Sequence, residues 1–301
     1  MKICPCNDNI CQLRLDFQNF VINQPKTTAT SVSHVAHVAA KILYDKLQCQ
    51  TDIFSVTAPG NNAPPVICGS NSGEHSKSWF FNNLNKIDEF FLSVYVDASD
   101  MCNDLGFNLG STGSTVTRSW TIKITQYDCN YDNLAPDGCT QYFWGQTTDT
   151  VQTYNFDSGA HLASQNQNIC IRRERGTCQI CWATTAEGDF EVSTAMTGAA
   201  GTIKVASGCC GYKNDGMLTS GWDCVKIPTP SKAPGTTLGV VGAYGFCGGE
   251  LGTIAGSIAA ATVCSKSVPF NIRFLSDLFE TITEMAKTPN GFRLAYTLKG
   301  C

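Results

Sequence analysis

The sequence predicts an all-β protein: two antiparallel jelly-roll β-sandwiches in tandem, braced by disulfides, with one helical insertion in the first. Three observations carry this. Short runs of residues alternate apolar with polar, clusters of Gly, Pro, Asn and Asp end each run, and seventeen of the 301 residues are cysteine. Alternation with a period of two marks strands with one buried face, and many short strands between turn signals mark a sandwich or barrel. Cysteine at this density is rare in a reducing cytosol and common where disulfides persist, so the chain is expected to be extracellular.

The strands follow in order. Leu13, Leu15 and Phe17 alternate with Arg14 and Asp16, and Phe20 to Ile22 continue them. Ile53 and Val56, Phe91 to Val96, and Trp120, Ile122 and Ile124 complete the first half. In the second half come Ile169 to Arg173, Phe190 to Val192, Ile203 to Val205, Val225 to Ile227, Phe270 to Phe274 and Phe292 to Tyr296. One segment departs: Val32, Val35, Ala39, Ile42, Leu43 and Leu47 fall on one side of a helix preceded by Ser31. His34 and His37 lie on it three apart, a pair that lacks the further ligands zinc requires. The polar segment 130–137, with Pro136, reads as a linker between a domain at 1–129 and another at 138–301.

Composition excludes several functions. Charged residues make up 15% and the net charge is −4, without the basic footprint nucleic-acid binding needs. The stretch from Thr237 to Cys264 carries only Glu250 as a charge, yet its many small residues and Cys247 read as buried strand and loop rather than a membrane span. The N-terminus MKICPCNDNIC has no apolar run of signal-peptide length, so export implies that the true start lies elsewhere. No Asn-x-Ser/Thr sequon occurs.

Candidate chemistry is sparse. Gly69 to Gly73 has the outline of a nucleophile turn, but its middle residue is Asn71. Outside the helical segment the histidines are His75 and His161, and no Gly-Asp-Ser-Gly-Gly occurs, so no enzyme is expected. Cys178 and Cys181 with Cys209 and Cys210 could form a zinc site, but adjacent cysteines suit disulfides better. The run Arg172, Arg173, Glu174, Arg175 reads as a solvated strand end, and Trp79, Phe80 and Phe81 as core packing rather than an exposed tip.

Several motifs give the chain a likeness. From Gly138 onward it shows Cys139, Cys170, Asp223 with Cys224, Phe246-Cys247-Gly248, Phe274-Leu275-Ser276-Asp277, and Gly291-Phe292 with Tyr296. The first half adds ICQLRLDFQNFVI, CQTDIFSV, VICGSNSGEH and RSWTIKITQYDC. With these the chain resembles the CUB domain family, specifically tandem CUB-like modules of secreted arthropod proteins. In the first half an opening strand is missing. The resemblance implies a jelly-roll sandwich that binds an extracellular protein or glycan and has no chemistry of its own.

It also implies the pairs Cys139 with Cys170, Cys49 with Cys68, and Cys224 with Cys247. The last departs from the pattern, because Asp223 precedes its cysteine whereas Asp52 follows Cys49 by three. Cys264 and Cys301 are paired on a different ground: they lie at the open end of an expected hairpin turning near Asp277 to Asn290. Cys102 is taken as the odd thiol, and the partners of Cys4, Cys6, Cys11, Cys129, Cys178, Cys181, Cys209 and Cys210 stay open.

Many CUB modules hold calcium, and the resemblance nominates Asp215, Asp223 and Asp277 in the second domain and Asp45, Asp52 and Asp97 in the first. Calcium needs six to eight oxygens; the alternative is ordinary loop aspartates bonding nearby amides. No cofactor is otherwise required. The leading expectation is a secreted, non-enzymatic recognition or adhesion protein. The alternatives are the regulatory region of a secreted protease or zymogen whose catalytic domain lies outside this chain, and a structural matrix or cuticle component.

Overall fold

The computed structural model describes residues 1–27, 31–34, 41–44, 47–58, 64–76, 90–111, 116–192, 210, 223–232, 245–249, 251–252, 262–278 and 289–301. The expected strand at Ile203 to Val205, as well as His37 and Trp79 to Phe81, lie outside them.

Among the described residues, ten strands belong to the first half. They are β1 (Lys2–Ile3), β2 (Ile10–Val21), β3 (Ser31–His34), β4 (Lys41–Tyr44) and β5 (Asp52–Val56), then β6 (Glu74–Ser76), β7 (Phe90–Phe91), β8 (Ser93–Asp97), β9 (Asn103–Leu109) and β10 (Ser119–Asp128). Two three-stranded sheets, β1-β9-β5 and β10-β2-β8, form its body. Leu13, Leu15 and Phe17 of β2 and Val94 of β8 meet Phe54 of β5 and Leu105 of β9 between the sheets. The alternation read from the sequence is what aims these side chains inward.

Among the described residues, the second half has eleven strands. These are β11 (Gln141–Phe143), β12 (Thr148–Gln152), β13 (Asn166–Ile171), β14 (Thr177–Ala183) and β15 (Phe190–Glu191), then β16 (Cys224–Lys226), β17 (Pro230–Lys232), β18 (Gly245–Phe246), β19 (Val263–Ser265), β20 (Phe270–Leu275) and β21 (Gly291–Gly300). They build a five-stranded sheet β11-β13-β20-β16-β18 and a six-stranded one ordered β12-β21-β14-β19-β17, with β15 on β21. Among the described residues, only β11 and β13 pair in parallel. Phe270, Ile272 and Phe274 from the first sheet pack against Ile180, Trp182, Leu294 and Tyr296 from the second.

The helical insertion is corrected: β3 and β4 pair antiparallel, Val32 opposite Leu43 and His34 opposite Lys41. The apolar positions keep a helical spacing, but the segment's Val, Ile and Tyr content favours strand, and cross-strand pairing decides the outcome. The metal spacing of His34 and His37 lapses with the helix. Among the described residues the one helical element is a 3-10 turn, Phe156–Ser158, and no helix is long and apolar enough to cross a membrane.

Seven disulfides join described cysteines: 4–102, 11–129, 49–68, 139–170, 178–301, 181–264 and 210–224. Three expectations are corrected. Cys264 bonds Cys181 and Cys301 bonds Cys178, because β20 and β21 lie in different sheets and form no hairpin; β14 instead sets Cys181 opposite Cys264 and Thr177 opposite Gly300. Cys224 bonds Cys210, although it packs against Cys247, itself disulfide-bonded. Cys102 is not the odd thiol; the free cysteine among the described residues is Cys6, which is exposed.

The halves interlock. Tyr154 and Leu162 of the second half lie in the core of the first, and the Tyr154 hydroxyl donates to Ser93 O at 2.9 Å. Asn155 Oδ1 accepts from Ser70 N, and Asn155 N donates to Asn71 Oδ1. Gly69 makes room for this: with φ +83°, a Cβ there would lie 2.1 Å from Asn155 Oδ1. Within 130–137, Ala135 is buried and exchanges two hydrogen bonds with the Gln12 amide. Replacing Trp182 by Ala should cost about 3–5 kcal/mol in denaturant unfolding. Tyr154→Phe should cost only about 0.5–1.5 kcal/mol in the same measurement, because the ring remains and one hydrogen bond is lost.

Candidate functional site

The nominated aspartates divide sharply. Asp215 and Asp45 lie outside the described residues. The ladder between β16 and β20 sets Cys224 opposite Leu275, which brings Asp223, before β16, beside Asp277, after β20. Asp277 N donates to Asp223 Oδ1 at 2.8 Å. Asp223 is buried, and its Oδ2 lies 3.2 Å from Nε2 of fully buried His161. The His161 ring stands edge-on to Phe274, and its backbone N donates to Pro289 O. Asp277 as a whole is half-buried, and its Oδ2 is covered.

In the first half the corresponding ladder, β5 with β9, sets Asp52 opposite Leu109. The Asp52 side chain is buried, and both its oxygens are engaged. Arg118 Nε donates to Oδ2 and Arg118 Nη2 to Oδ1, each at 2.8 Å. Asn23 adds its backbone N–H and its amide, at 2.8 and 2.9 Å, and Gly110 N donates at 3.1 Å. Burial alone would raise this carboxyl, but the bonds from Arg118, Asn23 and Gly110 outweigh it and hold the group below the usual carboxylate range. Asp97 does not join Asp52. Asn103 Nδ2 donates to both Asp97 O and Thr57 O, so Asp97 lies by the far end of β5, about 15 Å from Asp52 at the rise of an extended strand. Burial and the nearby Asp137 raise its carboxyl.

A calcium ion therefore fits the two halves differently. Asp223 and Asp277 are the residues that would hold an ion on the second half's edge, where Asp277 N already donates to Asp223 Oδ1 and His161 Nε2 lies near Oδ2. Among the described residues no group of three or more His, Cys, Asp or Glu gathers for a metal. At Asp52 the ion does not fit, because a guanidinium already lies on both oxygens.

The remaining sequence candidates fold into structural roles. Arg172 pairs with Glu174 through two nitrogens at 2.9 and 3.0 Å and lies over the Trp144 ring. Arg173 caps the turn by donating to Thr177 O. Gly69 to Gly73 forms the seat of Asn155 rather than a nucleophile turn. A cleft of about 210 Å³ between the halves, lined by Ser72, Leu92, Gln152, Asp157 and Arg293 among others, is smaller than ordinary ligand pockets and is crossed by the Arg293–Asp157 ion pair. The roles of Arg118 and His161 were not read from the sequence. Each acts on an aspartate more than sixty residues away, and no local motif marks that pairing.

Comparison with known proteins decides the family. The animal CUB domain model matches residues 136–299. The chain belongs to the CUB domain family. This CUB protein also aligns with two solved structures. The "CUB1-EGF-CUB2 domain of HUMAN MASP-1/3" is 14% identical, with 99% of this chain and 92% of that one covered, at a TM-score of 0.29. The "CUB1-EGF-CUB2 domains of rat MASP-1" is 13% identical, with 97% and 88% covered, also at 0.29. No curated protein matches the chain. Only non-catalytic CUB domains are evident in it.

Acid should expose the Asp52 cluster. A carboxyl held below its unfolded pKa stabilises the fold above that value and loses its contribution as pH falls through the folded one. Asp52 and Glu174 act in this sense. Asp16 and Asp97, raised chiefly by burial, act in the opposite sense. The thermal midpoint of Asp52→Asn should therefore lie below wild type at neutral pH. The gap should narrow as pH falls below about 4, the ordinary aspartate range.

Proposed function

We propose that this CUB protein works outside the cell as a secreted, non-enzymatic recognition protein. Its contact edge is the end of the second sandwich where Asp223 and Asp277 meet. The observation that carries this reading is the hydrogen bond joining those two residues at the loop end of the domain that matches the CUB family. Asp277 is half-buried, with its Oδ2 covered and its backbone already fixed, so its side chain would lose little freedom on meeting a lysine or arginine presented by a partner protein. Calcium bound between Asp223 and Asp277 would order the same edge. The disulfides support an oxidising compartment, since seven cross-links among short strands would not persist in a reducing one.

A second reading, a cross-linked matrix component, is favoured by one observation: Cys6 is free and exposed. In an oxidising medium an exposed thiol can join another chain.

Binding to arrays of lysine- and arginine-rich peptides and of glycans tests the first reading. Wild type should bind basic peptides, and Asp277→Ala should weaken that binding about tenfold or more while leaving the thermal midpoint within a few degrees. Binding confined to glycans and indifferent to Asp277→Ala would overturn the proposed edge. For the second reading, non-reducing gels should show a covalent dimer that disappears in Cys6→Ser; a wild-type protein that stays monomeric under oxidising conditions would remove it.

A further inference from the structure

The two sandwiches carry the same acid in the same place and treat it differently. Asp52 opens β5 and accepts from the N–H of Gly110, just past the end of β9. Asp223 stands before β16 and accepts from the N–H of Asp277, just past the end of β20. β5 pairs with β9 as β16 pairs with β20. The second acidic residue of the pair, Asp277, has Gly110 as its counterpart in the first sandwich. A side chain cannot be restored there: a Cβ on Gly110 would lie 2.8 Å from Thr51 O and 2.9 Å from Thr51 Cγ2.

We infer that the first sandwich is built to work without calcium, with the Arg118 guanidinium taking the place of the ion beside Asp52. The guanidinium supplies the positive charge, and its geometry is bidentate on the carboxylate. Its Nη2 also donates to Gly110 O at 2.6 Å, so it holds the end of β9 as a bound ion would hold a loop carbonyl. Arg118 directly precedes β10, and Asn23 follows β2, so both reach Asp52 from the opposite sheet. The cluster is thus a covalently tethered cation that ties the two sheets together. It also closes this end to a partner's basic side chain, because Asp52 is 1% exposed and its oxygens already receive five donors. Cation-dependent behaviour of the protein then belongs to the second sandwich alone, whether or not the recognition edge proposed there is correct.

Hydrogen exchange on the full wild-type chain, in saturating calcium and in EDTA, tests this without any variant. Protection at 52–56 and 103–110 should be the same in both. Greater protection there in calcium would overturn the inference. Calcium stoichiometry by titration calorimetry gives a second test: Asp52→Asn should bind as many ions as wild type, and the loss of one ion in that variant would also overturn it. Arg118→Ala should lower the thermal midpoint on the order of 5 °C in EDTA; an unchanged midpoint would show that the guanidinium is not the tie. Failure of Asp277→Ala to alter peptide binding would bear on the recognition edge and leave these outcomes untouched.

Discussion

Cross-linking between strands too short to hold themselves is the constraint on which this structure depends. Several strands have only two or three residues, among them β1, β11, β16, β18 and β19. Such pieces contribute few ladder bonds, and a pair of short strands is marginal in water without further restraint. The sulfur bridges supply it. Cys4–Cys102 fixes the chain next to β1 to the turn before β9, and Cys181–Cys264 locks β14 to β19 at a register position where the two residues face one another. Bridges closing loops of 83 to 123 residues restrict the unfolded chain most, each by about 5 kcal/mol in the loop-entropy picture.

Polar ties complete what sulfur begins. Asp52 gathers donors from β2's end, β9's end and the approach to β10, so one buried carboxylate joins both sheets of the first sandwich. In the second sandwich Asp223 has a comparable position with His161 beside it. His161 belongs to the same segment as Tyr154, Asn155 and Leu162, which is inserted into the first half. The Asp223–Asp277 edge and the joint between the halves are therefore connected through a few consecutive residues.

Much of this was legible in the chain. Phe270, Ile272 and Phe274, and Phe292, Leu294 and Tyr296, alternate so strictly that their strands and inward faces could be read directly. The CUB motifs around Cys139, Phe246-Cys247-Gly248 and Ser276-Asp277 located the family before any coordinates. Val32 to Leu43 misled because its apolar spacing is helical, whereas the cross-strand pairing that decides the outcome leaves no mark in the spacing. Cys264 and Cys301 misled for a related reason: the order of strands in the sequence does not reveal which sheet each one joins. The Asp52–Arg118 tie and the seat of Asn155 on Gly69 are contacts between distant residues, and no periodicity or spacing encodes them.

Reductive unfolding followed by far-UV circular dichroism addresses the sulfur-braced architecture most directly. Full reduction under native solvent conditions should abolish the β-sheet signal and the protection of β14, β19 and β21 together. A fully reduced chain that kept its sheet signal and its cooperative thermal transition would contradict the account.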